Sequence, residues 1–566
     1  MRCPLPLSCS FTLLIAAALP AQIVGGGWEL AQEFPGLVVA ERAGLALAAY
    51  GDWDGDGFDD FLIGAPGAVG AGLNAGSVYL VSGASGMMLL RIDGLVAGDE
   101  FGAAVAGIGD LDGDGWPEIV VGAPEADPAG LADAGSAFVY SGATGAVLRR
   151  FDGACLWGRL GASVAPLGDL DLDGAEDWLV GAPGEDPLAN YDAGSVYVLS
   201  GATGNQLRRY DGVSSGGGAG ASVAGPGDVD GDGFPDVLAG APEAWNGSAR
   251  EAGAAYLWSG STGALLWQVV GRTEYGSLGF SVSGSGDLDG DGLPDALVGE
   301  PVSTSSTGRV AAGAVLVLSG ISGAELRRFE GSWMSASLGL SVADPGDVDG
   351  DGVADVLAGA PGAKPGGVKS GAAYLYSGAT GALIHRFDGP LEDDGYGRVV
   401  ARGGERGGVP EVLVGAPYAW GSFPSWRGFV HLHAFEPYLE LSADQFSVSA
   451  GVPAGIVLDF PPGEAGFPYV VLASLSGQGP VQLGGIEVPL SSDPLLQRLL
   501  RGWSPPPLRA WRGLLDPAGD AQAWLHPHSA MRLLVGRTLT IAAVSAEPGL
   551  AAGRLSSVAR SLAVVL

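Results

Sequence analysis

The tripeptide Gly-Ala-Pro, or a near variant, begins at Gly64, Gly122, Gly181, Gly240, Gly299, Gly359 and Gly415, at spacings of 58, 59, 59, 59, 60 and 56 residues. A chain that repeats itself at such a period buries its apolar residues by packing copies of one supersecondary unit against each other. The third copy shows the unit. It reads Leu160-Gly-Ala-Ser-Val, Gly168-Asp-Leu-Asp-Leu-Asp-Gly and Trp178-Leu-Val-Gly-Ala-Pro183, then Gly194-Ser-Val-Tyr-Val-Leu-Ser-Gly201 and Gln206-Leu-Arg-Arg-Tyr-Asp-Gly212. Short apolar or alternating runs, punctuated by Gly, Asp and Pro, predict a four-stranded antiparallel sheet per copy. Seven such sheets can be arranged as an open solenoid or as a closed propeller.

The ends of the array choose the propeller. The seventh copy runs through Arg427-Gly-Phe-Val-His-Leu-His-Ala-Phe435 and then lacks its fourth strand. The missing piece stands at the other end, where Gly27-Trp-Glu-Leu-Ala-Gln-Glu-Phe-Pro-Gly36 resembles the fourth-strand segment Gly381-Ala-Leu-Ile-His-Arg-Phe-Asp-Gly389. Gly36 and Gly44 are eight residues apart, as are Gly94 and Gly102, Gly153 and Gly161, and their counterparts in every later copy. The predicted fold is therefore all-β: a seven-bladed β-propeller over residues 23–436 whose first strand completes the last blade. A solenoid would leave two bare edges.

Between the first and second strand of each copy lies Asp-x-Asp-x-Asp-Gly-x-x-Asp. The carboxylates are Asp52, Asp54, Asp56 and Asp60, then Asp110, Asp112, Asp114 and Glu118, then Asp169, Asp171, Asp173 and Asp177. They continue with Asp228, Asp230, Asp232 and Asp236, with Asp287, Asp289, Asp291 and Asp295, and with Asp347, Asp349, Asp351 and Asp355. Alternate spacing turns three carboxylates toward one point, glycine at the sixth position permits the sharp turn, and the ninth-position acid closes the cage. Two carboxylates 4 Å apart repel by about 4 kcal/mol at an effective dielectric near 20, so four in one hairpin call for a cation. Oxygen ligands without His or Cys select a hard one, and the expectation is six calcium ions, one in each of blades 1 to 6. The seventh copy reads Arg402-Gly-Gly-Glu-Arg-Gly-Gly-Val-Pro-Glu411. Gly403 and Gly407 stand where carboxylates are needed, so no ion is expected there, with its arginines as candidate replacements for the charge.

These repeats resemble the FG-GAP repeats of integrin α-subunit propellers and of secreted bacterial relatives. The matching features are Phe101-Gly102 and Leu160-Gly161 type pairs, the carboxylate loop and Gly-Ala-Pro, over about residues 23–436. Several copies replace the Phe, and the fifth reads Gly299-Glu-Pro301. The resemblance implies a recognition or adhesion module and non-enzymatic use of the propeller.

The first residues, Met1-Arg2 and the apolar run Phe11–Leu19 before Pro20-Ala21-Gln22, read as a signal peptide over 1–21. A secreted or cell-surface location follows, and no other segment has the apolar length of a membrane span. Cys3 and Cys9 would leave with the signal, so Cys155 has no partner for a disulfide. The formal charge of −35 repels phosphate backbones and excludes nucleic acid as a partner. Residues 437–566 break the period. Gly455-Ile-Val-Leu-Asp-Phe460, Tyr469-Val-Val-Leu-Ala473 and Thr538-Leu-Thr-Ile-Ala-Ala543 read as strands, and Asp493–Arg501 as one short helix capped by Asp493. A small β-sandwich-like domain is expected.

Catalytic signatures are missing from the sequence: it has no Gly-x-Ser-x-Gly elbow, no phosphate-loop lysine motif and no His-Glu-x-x-His. His431 and His433 alternate on one strand and His526 and His528 flank a proline, pairs without a third metal ligand. Binding is then the leading expectation. Loops joining strands two to three and four to one share the face opposite the cation hairpins. They carry Trp157, Tyr191, Trp245, Tyr275, Trp333, Tyr396, Tyr418, Trp420 and Trp426, side chains suited to anchoring a protein or a sugar ring. An extracellular protein or polysaccharide is the expected partner. A carbohydrate-active enzyme with its site in the central funnel, or a purely structural surface protein, are the alternatives.

Overall fold

The computed structural model describes residues 26–36, 41–187, 190–349 and 351–406, most of 409–437, and from 439 onward mainly strands. The signal segment and the helix expected over 493–501 lie outside the described residues. The chain divides into two compact units, one holding Leu30–Val348 and Val353–Ala434.

That unit is a seven-bladed β-propeller. Six blades are four-stranded sheets in simple sequence order, such as Ala104–Ile108, Glu118–Ala123, Ser136–Tyr140 and Val147–Asp152. The seventh sheet joins Val399–Arg406, Val409–Ala416 and Phe429–Pro437 to Gly26–Pro35, the first strand of the chain. The repeat also continues round the ring. Innermost strands of successive blades touch, and that of blade 7 touches Ala46–Gly51 of blade 1.

Second strands read as unbroken apolar runs because both faces of each sheet are covered by neighbouring blades. Phe61 and Ile63 pack toward Leu413, Val430 and Leu432 of blade 7, while Leu62 packs with Val105, Ile119 and Val121 of blade 2. The core is thus divided among the blade boundaries, and Phe34 of the N-terminal strand seals the last of them, its ring 6.1 Å from Phe61. Deleting residues 26–35 should expose a sheet edge and open this layer. Size-exclusion chromatography should show aggregates, and a monomeric deletion variant with unchanged melting would contradict the closure.

The two signature glycines meet where blades abut. In every blade the glycine of the Phe-Gly-type pair donates its N–H to the Gly-Ala-Pro glycine carbonyl of the same blade, at 2.9–3.1 Å. Its own carbonyl presses on the Gly-Ala-Pro glycine of the preceding blade. A Cβ at Gly122 would overlap the Gly161 oxygen, and one at Gly415 would lie 2.6 Å from the oxygen of Gly44. That last contact joins blade 7 to blade 1. Replacement of the Phe is tolerated because the position needs only an apolar side chain to bury: Phe101, Leu160, Ala219, Leu278 and Leu338 are all buried.

In the second unit, Leu439–Leu441, Ala454–Asp459, Asp520–Leu525 and Leu508–Arg509 form one sheet. Pro468–Ser474 and Thr538–Ala546 lie in a six-stranded second sheet. Among the described residues no helix is long and apolar enough to cross a membrane.

Candidate cation hairpins and loop face

Each carboxylate hairpin is wound by its own side chains. In blade 1, Asp52 accepts the N–H groups of Asp56 and Gly57 at 3.0 and 2.9 Å, and Asp54 and Asp56 accept those of Asp56 and Phe58 at 3.1 and 3.0 Å. The same bonds recur in blades 3, 4 and 5. Carboxylate oxygens of Asp52, Asp54 and Asp60 lie within 4.8 Å of one another, as do those of Asp169, Asp171 and Asp177 and of Asp228, Asp230 and Asp236. In blade 2 all four acids, Asp110, Asp112, Asp114 and Glu118, gather within that distance, and in blade 5 Asp287, Asp289 and Asp291 do.

The ninth-position acids are buried at the root of the loops: Asp60, Glu118, Asp177, Asp236, Asp295 and Asp355. Five of them tie two hairpins together. Asp60 accepts the Trp53 N–H at 2.8 Å with one oxygen and the Gly83 N–H, from the turn between strands three and four, at 3.1 Å with the other. Asp177, Asp236, Asp295 and Asp355 repeat this with Gly201, Gly260, Gly320 and Gly378. Spacing alone missed this second role, although a Ser-Gly pair stands with its glycine 23 to 25 residues beyond the ninth-position acid in every one of these copies (Ser82-Gly83, Ser200-Gly201).

Burial, ahead of repulsion from the other loop acids, pushes the carboxyls of Asp60, Asp177 and Asp236 up to about 6 and that of Glu118 to about 7. Among the described residues of blades 1 to 5, none of the acids in these sets is in an ion pair with Lys or Arg. The donor set is all oxygen, crowded and uncompensated, and it fits a hard divalent cation.

In blade 7 the first two strands run to Arg406 and from Val409, with Arg406 paired to Val409. Arg402 lies beside Gly346 of blade 6, and the Arg406 side chain is outside the described residues. The fifth copy's Glu300, at the usual Ala position, is buried and paired to Arg328 at 2.9 Å.

The nine loop aromatics separate into groups. Trp157, Tyr191, Trp245 and Tyr275 are 56, 69, 54 and 47% exposed. Their loops are linked: Tyr191 O accepts the Gly216 N–H at 2.6 Å, Trp245 N donates to Ser214 Oγ at 3.2 Å, and Tyr275 N donates to Arg250 O at 2.8 Å. The Arg250 guanidinium sits over the Trp245 ring at 5.5 Å. Trp333 instead packs beside Tyr374, with Arg386 over its ring, and half-buried Tyr418 is covered by Arg398. Tyr396 is fully buried, its hydroxyl 2.6 Å from His433 Nε2. It belongs to the packing layer because Tyr396-Gly397 is the Phe-Gly pair of blade 7, a signal present in the sequence. The side chains of Trp420 and Trp426, and residues His526 and His528, are outside the described residues. His431, also buried, faces Glu33 of the closing strand at 3.4 Å, so the His431–His433 pair is part of the wall of blade 7.

The family profile described as FG-GAP repeat matches residues 101–140, 160–199, 219–258, 278–318 and 341–376, each stretch running from the Phe-Gly position or just after it through the hairpin to the third strand. Integrin alpha-5 of Xenopus laevis is 30% identical over 249 residues, 41% of this chain and 23% of that protein. Integrin alpha pat-2 of Caenorhabditis elegans is 32% identical over 272 residues, 43% and 20% of the two chains. Human integrin alpha-IIb is 34% identical over 212 residues, 34% and 19%. The chain thus aligns with about a fifth of the length of these relatives. The chain therefore carries FG-GAP repeats, and its ring of seven blades is an integrin-α-like β-propeller.

Proposed function

We propose that this chain is exported by the segment 1–21, holds calcium in the hairpins of blades 1 to 6, and acts outside the cell as a recognition or adhesion module for protein or carbohydrate. Its propeller spans residues 23–436, and 437–566 form a separate β-rich domain. The observation that carries the reading is the linked set of exposed aromatics, Trp157, Tyr191, Trp245 and Tyr275, at the end of the blades opposite the cation hairpins. Strands alternate direction, so every two-to-three and four-to-one loop emerges at that end. Exposed Trp and Tyr bury large area at small entropic cost when a partner covers them, and the cations would hold the blades beneath them in place.

A site in the central funnel has less support. The cleft there is lined by Ala165, Pro166, Pro226, Ser283, Ser285 and Asp344 among others, and Asp344 is the one acid among its described lining residues, whereas glycoside hydrolysis uses two. Arrays of glycans and extracellular proteins, probed with the calcium-loaded chain, test the reading. Trp157→Ala with Trp245→Ala should weaken capture at least tenfold (each anchor contributes about 1–2 kcal/mol) and leave the melting temperature unchanged. Capture that survives both the double substitution and EGTA would remove the loop face from consideration.

A further inference from the structure

The fourth strand is the outer edge of each blade, and five of these edges carry one charge pattern. Met88–Asp93, Val147–Asp152, Gln206–Asp211, Glu325–Glu330 and Leu383–Asp388 each have Arg at the fourth position and Asp or Glu at the sixth. In four of them the two side chains pair along the strand, Arg91 with Asp93, Arg150 with Asp152, Arg209 with Asp211 and Arg386 with Asp388, at 2.5–2.7 Å. The closing strand of blade 7 carries Glu29 and Glu33. Charge on an exposed edge keeps it from pairing with a strand of another molecule.

Blade 4 lacks that charge. Its outer strand, Leu265–Val270, reads Leu-Leu-Trp-Gln-Val-Val, with Gln268 and Val270 in the two charged places. The nearest charge along the chain is Arg272, two residues past its end. Leu265 and Val270 are 44 and 40% exposed, and Gln268 is exposed too. Buried Trp267 donates its Nε1–H to Gly320 O of blade 5 at 2.6 Å and holds the strand in place. Beside it lies a cleft of about 60 Å³, walled by Val269, Val270, Leu316 and Leu318 of blades 4 and 5.

We propose that two copies of the chain associate here, their Leu265–Val270 strands pairing antiparallel about a two-fold axis to join two copies of blade 4 into one sheet. The occupant follows from charge. Two-fold pairing brings the same strand from both copies together, so any charge it carries is doubled and desolvated in the contact. The patterned edges would bring two guanidinium–carboxylate sets, and blade 4 brings none. A formal charge of −35 repels other copies, which confines close approach to an uncharged stretch. One such edge per chain closes the assembly at a dimer. The surface is separate from the loop face, and the inference does not rest on the function proposed above.

Light scattering on the full chain at concentrations up to about 200 µM, within reach of a small transient interface, tests it. The expected result is a monomer–dimer equilibrium with nothing larger. Raising the salt from about 50 to 500 mM should tighten it several-fold, because screening removes the repulsion between copies. Deuterium uptake over residues 264–270 should fall as the concentration rises. Gln268→Arg with Val270→Asp restores the pattern of the other blades and should weaken dimerisation at least tenfold, with the melting temperature of the dilute chain unchanged. Leu265→Lys, a single exposed substitution, should do the same. A chain that is monomeric throughout, a dimer that falls apart as salt rises, or one that survives both variants would each overturn the proposal, as would uptake over 264–270 that ignores concentration.

Discussion

Chelation with EGTA should lower the melting temperature of the calcium-loaded chain by roughly 10–20 °C. One ion held at a hundredfold excess over its Kd stabilises the folded state by about 2.7 kcal/mol, so six sites together amount to something on the order of 15 kcal/mol. In a protein of 150–250 residues each kcal/mol moves the midpoint by about 2–4 °C, and a propeller of this length responds less per kcal/mol. Two features of the molecule make the effect large. The hairpins of blades 1 to 5 place three or four carboxylates within 4.8 Å, and the buried acids at their roots have been pushed up to about 6 or 7 by burial. Without the ion, that repulsion acts on the same side chains that tie strand pairs one–two and three–four together. Differential scanning calorimetry with calcium, with EGTA and with calcium restored is the measurement. A midpoint that stays within 2 °C throughout would refute the cages as a source of stability.

Gly122→Ala should cost more than 3 kcal/mol, enough to lower melting by roughly 3–6 °C or to leave the chain insoluble. The methyl carbon would overlap the Gly161 oxygen and lie 2.9 Å from the Gly161 carbonyl carbon. Both obstacles are backbone of the next blade and cannot swing aside. Relief would require blades 2 and 3 to part, and the ring shares that displacement with its other boundaries. Gly113→Ala is the matched control. Its φ is +81° but nothing lies within 4 Å of the added carbon, so only a left-handed backbone penalty of about 1 kcal/mol applies. Thermal melts of the two variants should therefore separate widely. Equal, small shifts would mean that the Gly-Ala-Pro glycine is retained for a reason other than close approach.

The period, the seven copies and the displaced fourth strand were readable along the chain because a propeller repeats one local pattern, and each copy carries its own strands, turns and acids. The hairpin carboxylates were readable for the same reason: their spacing is contained within nine residues. Where sequence reasoning placed a residue by its loop alone, it went astray. Tyr396 was grouped with the exposed aromatics, although its neighbour Gly397 marks it as the buried member of the Phe-Gly pair.

Local sequence by itself determined the repeat, the strand count and the acidic hairpins, since these depend on contacts among residues close in the chain. Only the tertiary structure decided which aromatics face solvent, that the signature glycines of adjacent blades touch, and that the oxygens of Glu118 are spent differently from those of its Asp counterparts. Those outcomes depend on distances between blades some sixty residues apart, where a single methylene or methyl changes what can be buried and what must be paired.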